Sequence, residues 1–500
     1  MSGEAFVLAI DQGTTSTRAI LFDREGQARA TAQVPLNQIY PAPGQVEHDP
    51  EEIWRAVLHV GNTVLSEVGP RAVVAIGITN QRETTLAWEQ ATGRPLANAI
   101  VWQDRRTADL CAELAHEGWE AHVAEATGLV IDPYFSATKL AWLLRNVPDL
   151  DARAEAGEVC FGTIDSFLLF RLTGGRLHAT DATNAARTML YDIRTGQWDD
   201  RLLGRLGVPR AMLPEVRDSQ SDFGETEPGH FGASIPIRGV AGDQQAAAYG
   251  QACFKAGMLK ATYGTGCFVL ANTGAEKVAS ATRMLSTIFH QLEGKRTYAL
   301  EGAIFMAGAT VQWLRDNLGL IATAAESEAL AREADPKARV YLVPAFQGLG
   351  APFWDANAKA AILGMTRAAS KADLVAAGLE AVAFQTRDLL TAMRQDMAVS
   401  DIPAPPALRV DGGMTANGWL MQRLADILGE RIEVALNPET TALGAAYHAG
   451  QETGFFGDLA ELSQAWLPAR AFEPSMSETE REARYGGWLD AVARVRSQGA

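Results

Sequence analysis

The chain has 500 residues, too many for one ordinary hydrophobic core, so two domains of about 250 residues are the simplest expectation. Apolar residues at 47% and charged residues at 21% belong to a globular protein, and a net charge of −16 argues against a nucleic-acid-binding surface. Cys111, Cys160, Cys253 and Cys267 have no CxxC spacing, and no apolar stretch approaches membrane-spanning length, so neither zinc, disulfides, export nor a membrane is expected, and a reducing cytoplasm fits.

Residues 6–22, FVLAIDQGTTSTRAILF, read as a hairpin. An apolar run over 6–10 meets Asp11, turns through Gln12, Gly13, Thr14 and Thr15, and resumes as an alternating β-prone run over 17–22. The tip offers a carboxylate, a glycine that permits close backbone approach, the hydroxyls of Thr14, Thr15 and Ser16, and the cation Arg18. These groups suit phosphate oxygens and a hydrated divalent cation; the same stretch alone also reads as an ordinary surface hairpin. Residues 37–50 form a loop, after which Pro50-Glu51-Glu52 opens a helix with Ile53, Val57, Val60 and Val64 on one face. The apolar run 72–78 predicts a strand buried on both faces. Residues 79–85 leave its end carrying Asn80, Gln81, Arg82 and Glu83, as a ligand edge or as a solvated loop.

Strand and helix patterns continue through 138–144, 159–172 and 237–241, suiting an α/β domain that ends near Tyr249. Asp243 stands just past a strand end, where a carboxylate can accept a hydroxyl proton or serve as a turn or cap. A second strand, glycine-threonine turn, strand unit occupies 258–272, broken at Gly264-Thr265-Gly266. Ile304, Ala307, Val311, Leu314 and Leu318 share a face and predict a helix. Leu374, Ala377, Ala381, Phe384 and Met393 predict another, opened by a Ser370/Asp373 capping box. Residues 344–355 are a glycine- and proline-rich loop; 407–410 are β-like and lead through Asp411-Gly412-Gly413 to a helix with Leu420, Leu424, Ile427 and Leu428 on one face. Tyr485, Trp488, Leu489 and Val492 give the C-terminus an apolar helical stripe suited to packing. Neither GxxxxGK[ST] nor GxGxxG occurs, so no P-loop or dinucleotide fingerprint is supported.

The stretches 77–85 (GITNQRETT), 101–103 (VWQ), 132–135 (DPYF), 241–245 (AGDQQ) and 263–268 (YGTGCF), in that order, resemble the sugar kinases of the actin-like ATPase superfamily, specifically the glycerol kinase group. The likeness runs over residues 9–488. It implies an α/β fold of two actin-like (ribonuclease H-like) ATPase domains, 1–250 and 251–500, with a nucleotide and substrate cleft between them. The first would carry the polyol site and first phosphate hairpin, the second the other hairpin and the adenosine site.

On this resemblance Thr14, Thr15, Ser16 and Arg18 face the phosphates of ATP from one domain and Thr265 from the other. Gly308, Gln312, Gly413 and Asn417 line the nucleotide, and Asp11 holds Mg²⁺ through water. Asp243 is the base. Arg82, Glu83, Tyr134, Asp243 and Gln244 bind the polyol hydroxyls, and Trp102 and Phe268 pack against its carbons, although those two also read as core residues. The activity implied is ATP-dependent phosphorylation of glycerol to sn-glycerol 3-phosphate. Alternatives are a kinase for dihydroxyacetone or a pentulose, or an actin-like ATPase acting on a protein partner. Related pentulose kinases usually lack Gln-Arg-Glu-Thr, present here at 81–84, which favours glycerol. A homodimer or homotetramer is implied as well.

The segment 229–236, GHFGASIP, lacks the arginine of the loop through which some bacterial relatives are inhibited by fructose 1,6-bisphosphate. Its His-Phe pair resembles a loop phosphorylated by the phosphocarrier of the sugar phosphotransferase system, making His230 a candidate for that modification or else a plain surface histidine.

Overall fold

The computed structural model describes residues 4–355 and 357–497. The first hairpin forms as expected, with β1 (Phe6–Gln12) antiparallel to β2 (Ser16–Phe22) and Gln12 opposite Thr17, so residues 13–16 make the tip. β3 (Ala28–Pro35), α1 (Pro50–Val68), β4 (Val73–Asn80), β5 (Ile237–Gly242) and α2 (Asp243–Gly250) follow. The sheet order is β5-β4-β1-β2-β3, with β4 and β5 parallel to β1 and the hairpin strands antiparallel.

The second half contains β6 (Leu259–Tyr263), β7 (Cys267–Gly274), β8 (Leu285–Leu292), β9 (Lys295–Ile304), α3 (Gly308–Asp316) and α4 (Lys371–Val399). Then come β10 (Ala407–Asp411), α5 (Gly418–Leu428), β11 (Arg431–Ala435), α6 (Thr440–Glu452), β12 (Pro468–Phe472) and α7 (Glu478–Val495). Its seven strands are ordered β8-β9-β7-β6-β10-β11-β12. The central five, β9-β7-β6-β10-β11, repeat the pairing senses of the first sheet, so the topology occurs twice.

The two copies are locked together rather than strung in sequence. Phe6, Leu8 and Ile10 of β1 pack with Ile53, Val57 and Val60 of α1 on one face of the first sheet. Val7 and Ala9 face the other way, onto Ala248 and Tyr249 of α2 and Ala442, Ala446 and Ala449 of α6. Leu270, Phe289 and Ala299 of the second sheet join that same cluster, so α2 and α6 form a layer between the sheets. The approach is close because small residues line it. A Cβ on Gly77 would lie 2.1 Å from the Ala445 carbonyl oxygen, and one on Gly444 would lie 1.8 Å from that of Ala246.

Two expectations need correction. The helix drawn from Ile304 to Leu318 is shorter: Ile304 ends β9 opposite Cys267, α3 begins at Gly308, and Leu318 is 42% exposed beyond its end. The cause is the second hairpin, whose Thr265 and Gly264 carbonyls accept the N–H groups of Ala307, Gly308 and Ala309 and so fix where helical bonding starts. In α7, Trp488 and Val492 are buried but Leu489 faces outward at 44% exposure, because the buried face there is narrower than the apolar stripe. The capping box at Ser370 and Asp373 forms.

Candidate active site

Each phosphate-type hairpin closes on its own backbone. Gly13 N–H donates to the Ser16 carbonyl at 2.9 Å in the first, and Gly264 N–H to the Gly266 carbonyl at 2.9 Å in the second. Thr15 and Thr265 stand exposed at the tips, while Ser16 Oγ accepts from Gln33 Nε2 at 2.8 Å. Gly308 stacks on the second tip, where a Cβ would meet the Gly264 oxygen at 2.6 Å. Gln312 is exposed on α3, Gly413 is exposed in the short turn Gly413–Ala416, and Asn417 caps α5 by accepting from Leu420 N–H at 2.9 Å. Arg18 is paired across the halves with Glu439 and also donates to Gln33 Oε1 at 3.2 Å.

Trp102 ties the first hairpin to a second group of residues. Its indole N–H donates to Thr14 Oγ1 at 2.9 Å, and its ring meets Tyr134 and Phe268 edge-on, with centroids 5.6 and 6.2 Å away. Phe268 belongs to β7, immediately after the second hairpin, so one side chain touches both tips' surroundings. The three aromatic rings thereby cluster where the two halves meet.

The polar floor is a cross-linked set of charges. Asp243, first residue of α2, receives its own neighbour's N–H, Gln244 N to Oδ1 at 2.7 Å, and Arg82 Nε lies 3.1 Å from the same oxygen. Oδ2 has no hydrogen-bond partner among the described residues, and the side chain is 29% exposed, so the carboxylate is anchored by one oxygen and open through the other. Arg82 is otherwise spent: Nη1 donates to Glu301 Oε2 at 2.5 Å and Gln245 Oε1 at 3.2 Å, and Nη2 donates to Glu301 Oε1 at 3.1 Å. Glu83, at φ 61°, accepts on Oε1 from Arg187 Nε at 2.6 Å, and Arg187 Nη2 donates to Glu301 Oε1 at 2.9 Å. Against the cost of burial, the Arg187 and Arg82 guanidiniums hold the Glu301 carboxyl down at about 2. Gly242 is required at this strand end because a Cβ there would meet Arg82 Cδ at 2.7 Å.

Asp11 pairs in register with Arg18 across the hairpin and with Thr79 of β4. Its carboxylate takes no hydrogen bond among the described residues. Burial pushes the carboxyl up to about 7, Arg18 pulls it back, and the nearby Asp243 and Glu439 charges add to the rise. Among the described residues no group of three or more His, Cys, Asp or Glu forms a cage for a metal. A single free carboxylate beside a phosphate-type tip does fit Mg²⁺, which keeps water and takes phosphate oxygens as its remaining ligands.

Comparison with known proteins gives the family. The N-terminal domain profile of the FGGY family of carbohydrate kinases matches residues 6–250, and the C-terminal domain profile matches residues 259–451. The chain belongs to the FGGY family of carbohydrate kinases. This FGGY kinase is 58% identical to the glycerol kinase of Xanthobacter autotrophicus over 490 residues, covering 98% of each chain. It is 56% identical to that of Ectopseudomonas mendocina over 496 residues, covering 99% of each. Its fold superposes on the crystal structure of Plasmodium falciparum glycerol kinase with ADP at a TM-score of 0.93, with 37% identity and 99% of each chain covered.

Three residues of the FGGY kinase's buried polar floor were not picked out from the sequence: Arg187, Glu301 and Lys260, all at most 1% exposed. Lys260 Nζ donates to Gln244 Oε1 at 2.5 Å and Thr262 Oγ1 at 2.9 Å. Burial pushes the Lys260 amine down while Asp411 and Asp243 support its charge. The available signal was a lone charge inside an apolar β-prone run, LKATY for Lys260 and TYALEGAI for Glu301. His230 lies away from the floor, on the turn Pro228–Phe231. It packs edge-on against Trp54 of α1 at 5.0 Å, with Nε2 3.1 Å from the Arg171 carbonyl.

Proposed function

We propose that this FGGY kinase transfers the γ-phosphoryl group of ATP to glycerol, giving sn-glycerol 3-phosphate and ADP. The observation that carries the reading is Asp243, with one carboxylate oxygen anchored by Arg82 and Gln244 N–H and the other without a hydrogen bond among the described residues. In this reading Oδ2 accepts the proton of a glycerol hydroxyl as its oxygen attacks the γ-phosphorus in line; the bond to the ADP oxygen breaks, and the proton later passes to solvent. Arg82, held by Glu301, keeps the carboxylate aimed, Glu83 and Tyr134 meet further hydroxyls, and Trp102 and Phe268 cover the carbons.

Thr14, Thr15, Ser16 and Arg18 bind the phosphates from one side and Thr265 from the other, with Gly308, Gln312, Gly413 and Asn417 about the nucleoside. Arg18 exchanges Glu439 for a phosphate oxygen as ATP enters. Asp11 would hold Mg²⁺ through water, and the ion would supply neutralisation of phosphate charge. The division of labour follows 1–250 for the polyol and first hairpin and 251–500 for the second hairpin and adenosine. The test is ADP release from MgATP with glycerol, dihydroxyacetone, ribulose or xylulose. Glycerol gives the highest kcat/KM on this reading; a higher value for a pentulose, or ATP hydrolysis indifferent to every acceptor, rejects it.

A cytoplasmic setting belongs to the same reading, supported by four buried free cysteines and by the lack, among the described residues, of a helix long and apolar enough to cross a membrane. So does self-association as a dimer or tetramer, which sedimentation measures. Phosphorylation of His230 by a sugar phosphotransferase carrier is supported by its loop sequence and partial exposure, with Nδ1 free of hydrogen bonds among the described residues. Incubation with phosphorylated carrier followed by peptide mass spectrometry tests it, and an unlabelled His230 rejects it.

A further inference from the structure

Lys260 is the one member of the buried floor whose charge has no counter-ion in contact. Its side chain is fully buried on β6, yet among the described residues no carboxylate oxygen lies within salt-bridge distance of Nζ; its partners are the neutral Gln244 Oε1 and Thr262 Oγ1. Burying an ammonium against neutral oxygens is costly, so a purely packing role is poorly served by lysine. What the ammonium does accomplish is to choose the orientation of an amide. It has three donors and no acceptor, so the opposite setting of Gln244 would press N–H groups against N–H groups.

We infer that Lys260 sets the hydrogen-bond polarity of the acceptor site: by pinning the Gln244 amide oxygen it makes Gln244 a donor-only contact and thereby selects a hydroxyl over an amine. The inference rests on the reading that glycerol occupies this cleft. Gln244 Nε2 has no partner among the described residues, and the backbone N–H of Gln244 is already spent on Asp243 Oδ1. The first two residues of α2 thus offer neighbouring groups of opposite polarity, an accepting oxygen from Asp243 and a donating nitrogen from Gln244. A hydroxyl satisfies both at once. An ammonium satisfies the first and opposes the second, and a buried mismatch of that kind is strongly discriminating.

Steady-state kinetics with glycerol, 2-amino-1,3-propanediol and 3-amino-1,2-propanediol test this in the full-length protein. Lys260→Met frees the amide to turn. The expected result is a glycerol KM raised about tenfold, a smaller change in kcat, and a glycerol-over-amine preference narrowed by about tenfold. In a Gln244→Leu background, adding Lys260→Met should narrow that preference no further. Gln244→Glu keeps an oxygen for Lys260 and loses the donor, so it should raise the glycerol KM as much as Gln244→Leu does. An unaltered preference in Lys260→Met, equal narrowing in the Leu background, or a wild-type glycerol KM in Gln244→Glu each overturns the inference. Should Lys260→Met fail to fold, Gln244→Glu decides alone. A wild-type protein inert toward glycerol overturns the functional reading and this inference with it, whereas an active wild type with unaltered variants overturns the inference only.

Discussion

The seam between α2 and α6 makes a demanding prediction, because it joins packing to catalysis. In Gly444→Ala the added Cβ would fall 1.8 Å from the Ala246 oxygen, 2.6 Å from its carbonyl carbon and 3.0 Å from its Cα. All three are backbone atoms of α2, so no side chain can swing aside. The helices must separate by about 1 Å, in a layer packed against both sheets, and overpacking of this kind costs about 1–3 kcal/mol. The same shift moves α2, whose first residue is Asp243, and a displacement of about 1 Å at a reacting group costs on the order of a hundredfold in rate. Gly204→Ala serves as control: it lies in the helix Asp200–Leu206 with nothing within 4 Å of the added carbon. Urea denaturation and kcat are measured side by side on both. Gly444→Ala should lose stability and most of its turnover while Gly204→Ala keeps both. A Gly444→Ala protein with wild-type midpoint and wild-type kcat would refute the close-packed seam.

Glu301→Gln leaves Arg82 and Arg187 buried without their shared counter-charge, and breaking such a network costs about 3–5 kcal/mol, read as a lowered denaturant midpoint; an unchanged midpoint would contradict the buried network. The raised Asp11 carboxyl gives a pH dependence of definite sign. Between about pH 4 and about pH 7 the folded protein holds a proton at Asp11 that the unfolded chain has released, so this group's contribution to stability falls as pH rises and is flat above about 7. If Asp11 holds Mg²⁺ as proposed, the ion competes with the same proton. Its apparent affinity in the presence of ATP should rise by up to about tenfold per pH unit below about 7 and then level, and Asp11→Asn should abolish that rise; a pH-independent Mg²⁺ requirement in the wild type would count against Asp11 as its holder.

Much of the fold is legible in the sequence because local chemistry and global topology agree there. A β-prone run interrupted by glycine and threonine has few alternatives to a hairpin, and both copies form at 13–16 and 264–266. Of the apolar stretch 72–78, residues 73–78 lie in β4, while Ala72 ends the turn Pro70–Ala72 before it, and the Ser370 cap opens α4. What is not legible depends on partners far along the chain. Gly444 and Ala246 are nearly two hundred residues apart, and nothing local in ALGAAYHAG says that this helix will lie on the first sheet. Ile304 fits a helical period by coincidence, and only its pairing with Cys267 assigns it to a strand. The floor is similar. Arg82, Glu83 and Asp243 stand at strand ends, where polar clusters attract notice. Glu301 and Lys260 are single charges inside β-prone runs and Arg187 stands in the turn after the short helix Ala182–Ala185, and their meaning appears only when the two halves meet. Even Arg82, which reads as a free fork of donors, turns out to be engaged mainly by Glu301 and Gln245.

In the proposed reaction Asp243 takes the proton of glycerol in a cleft assembled from both halves. The most direct test is turnover of Asp243→Asn with MgATP and glycerol, alongside calorimetric binding of glycerol to the same variant. The expected result is a kcat lowered by about a hundredfold to ten-thousandfold with glycerol affinity largely kept. An Asp243→Asn protein that still turns over at close to the wild-type rate would contradict it.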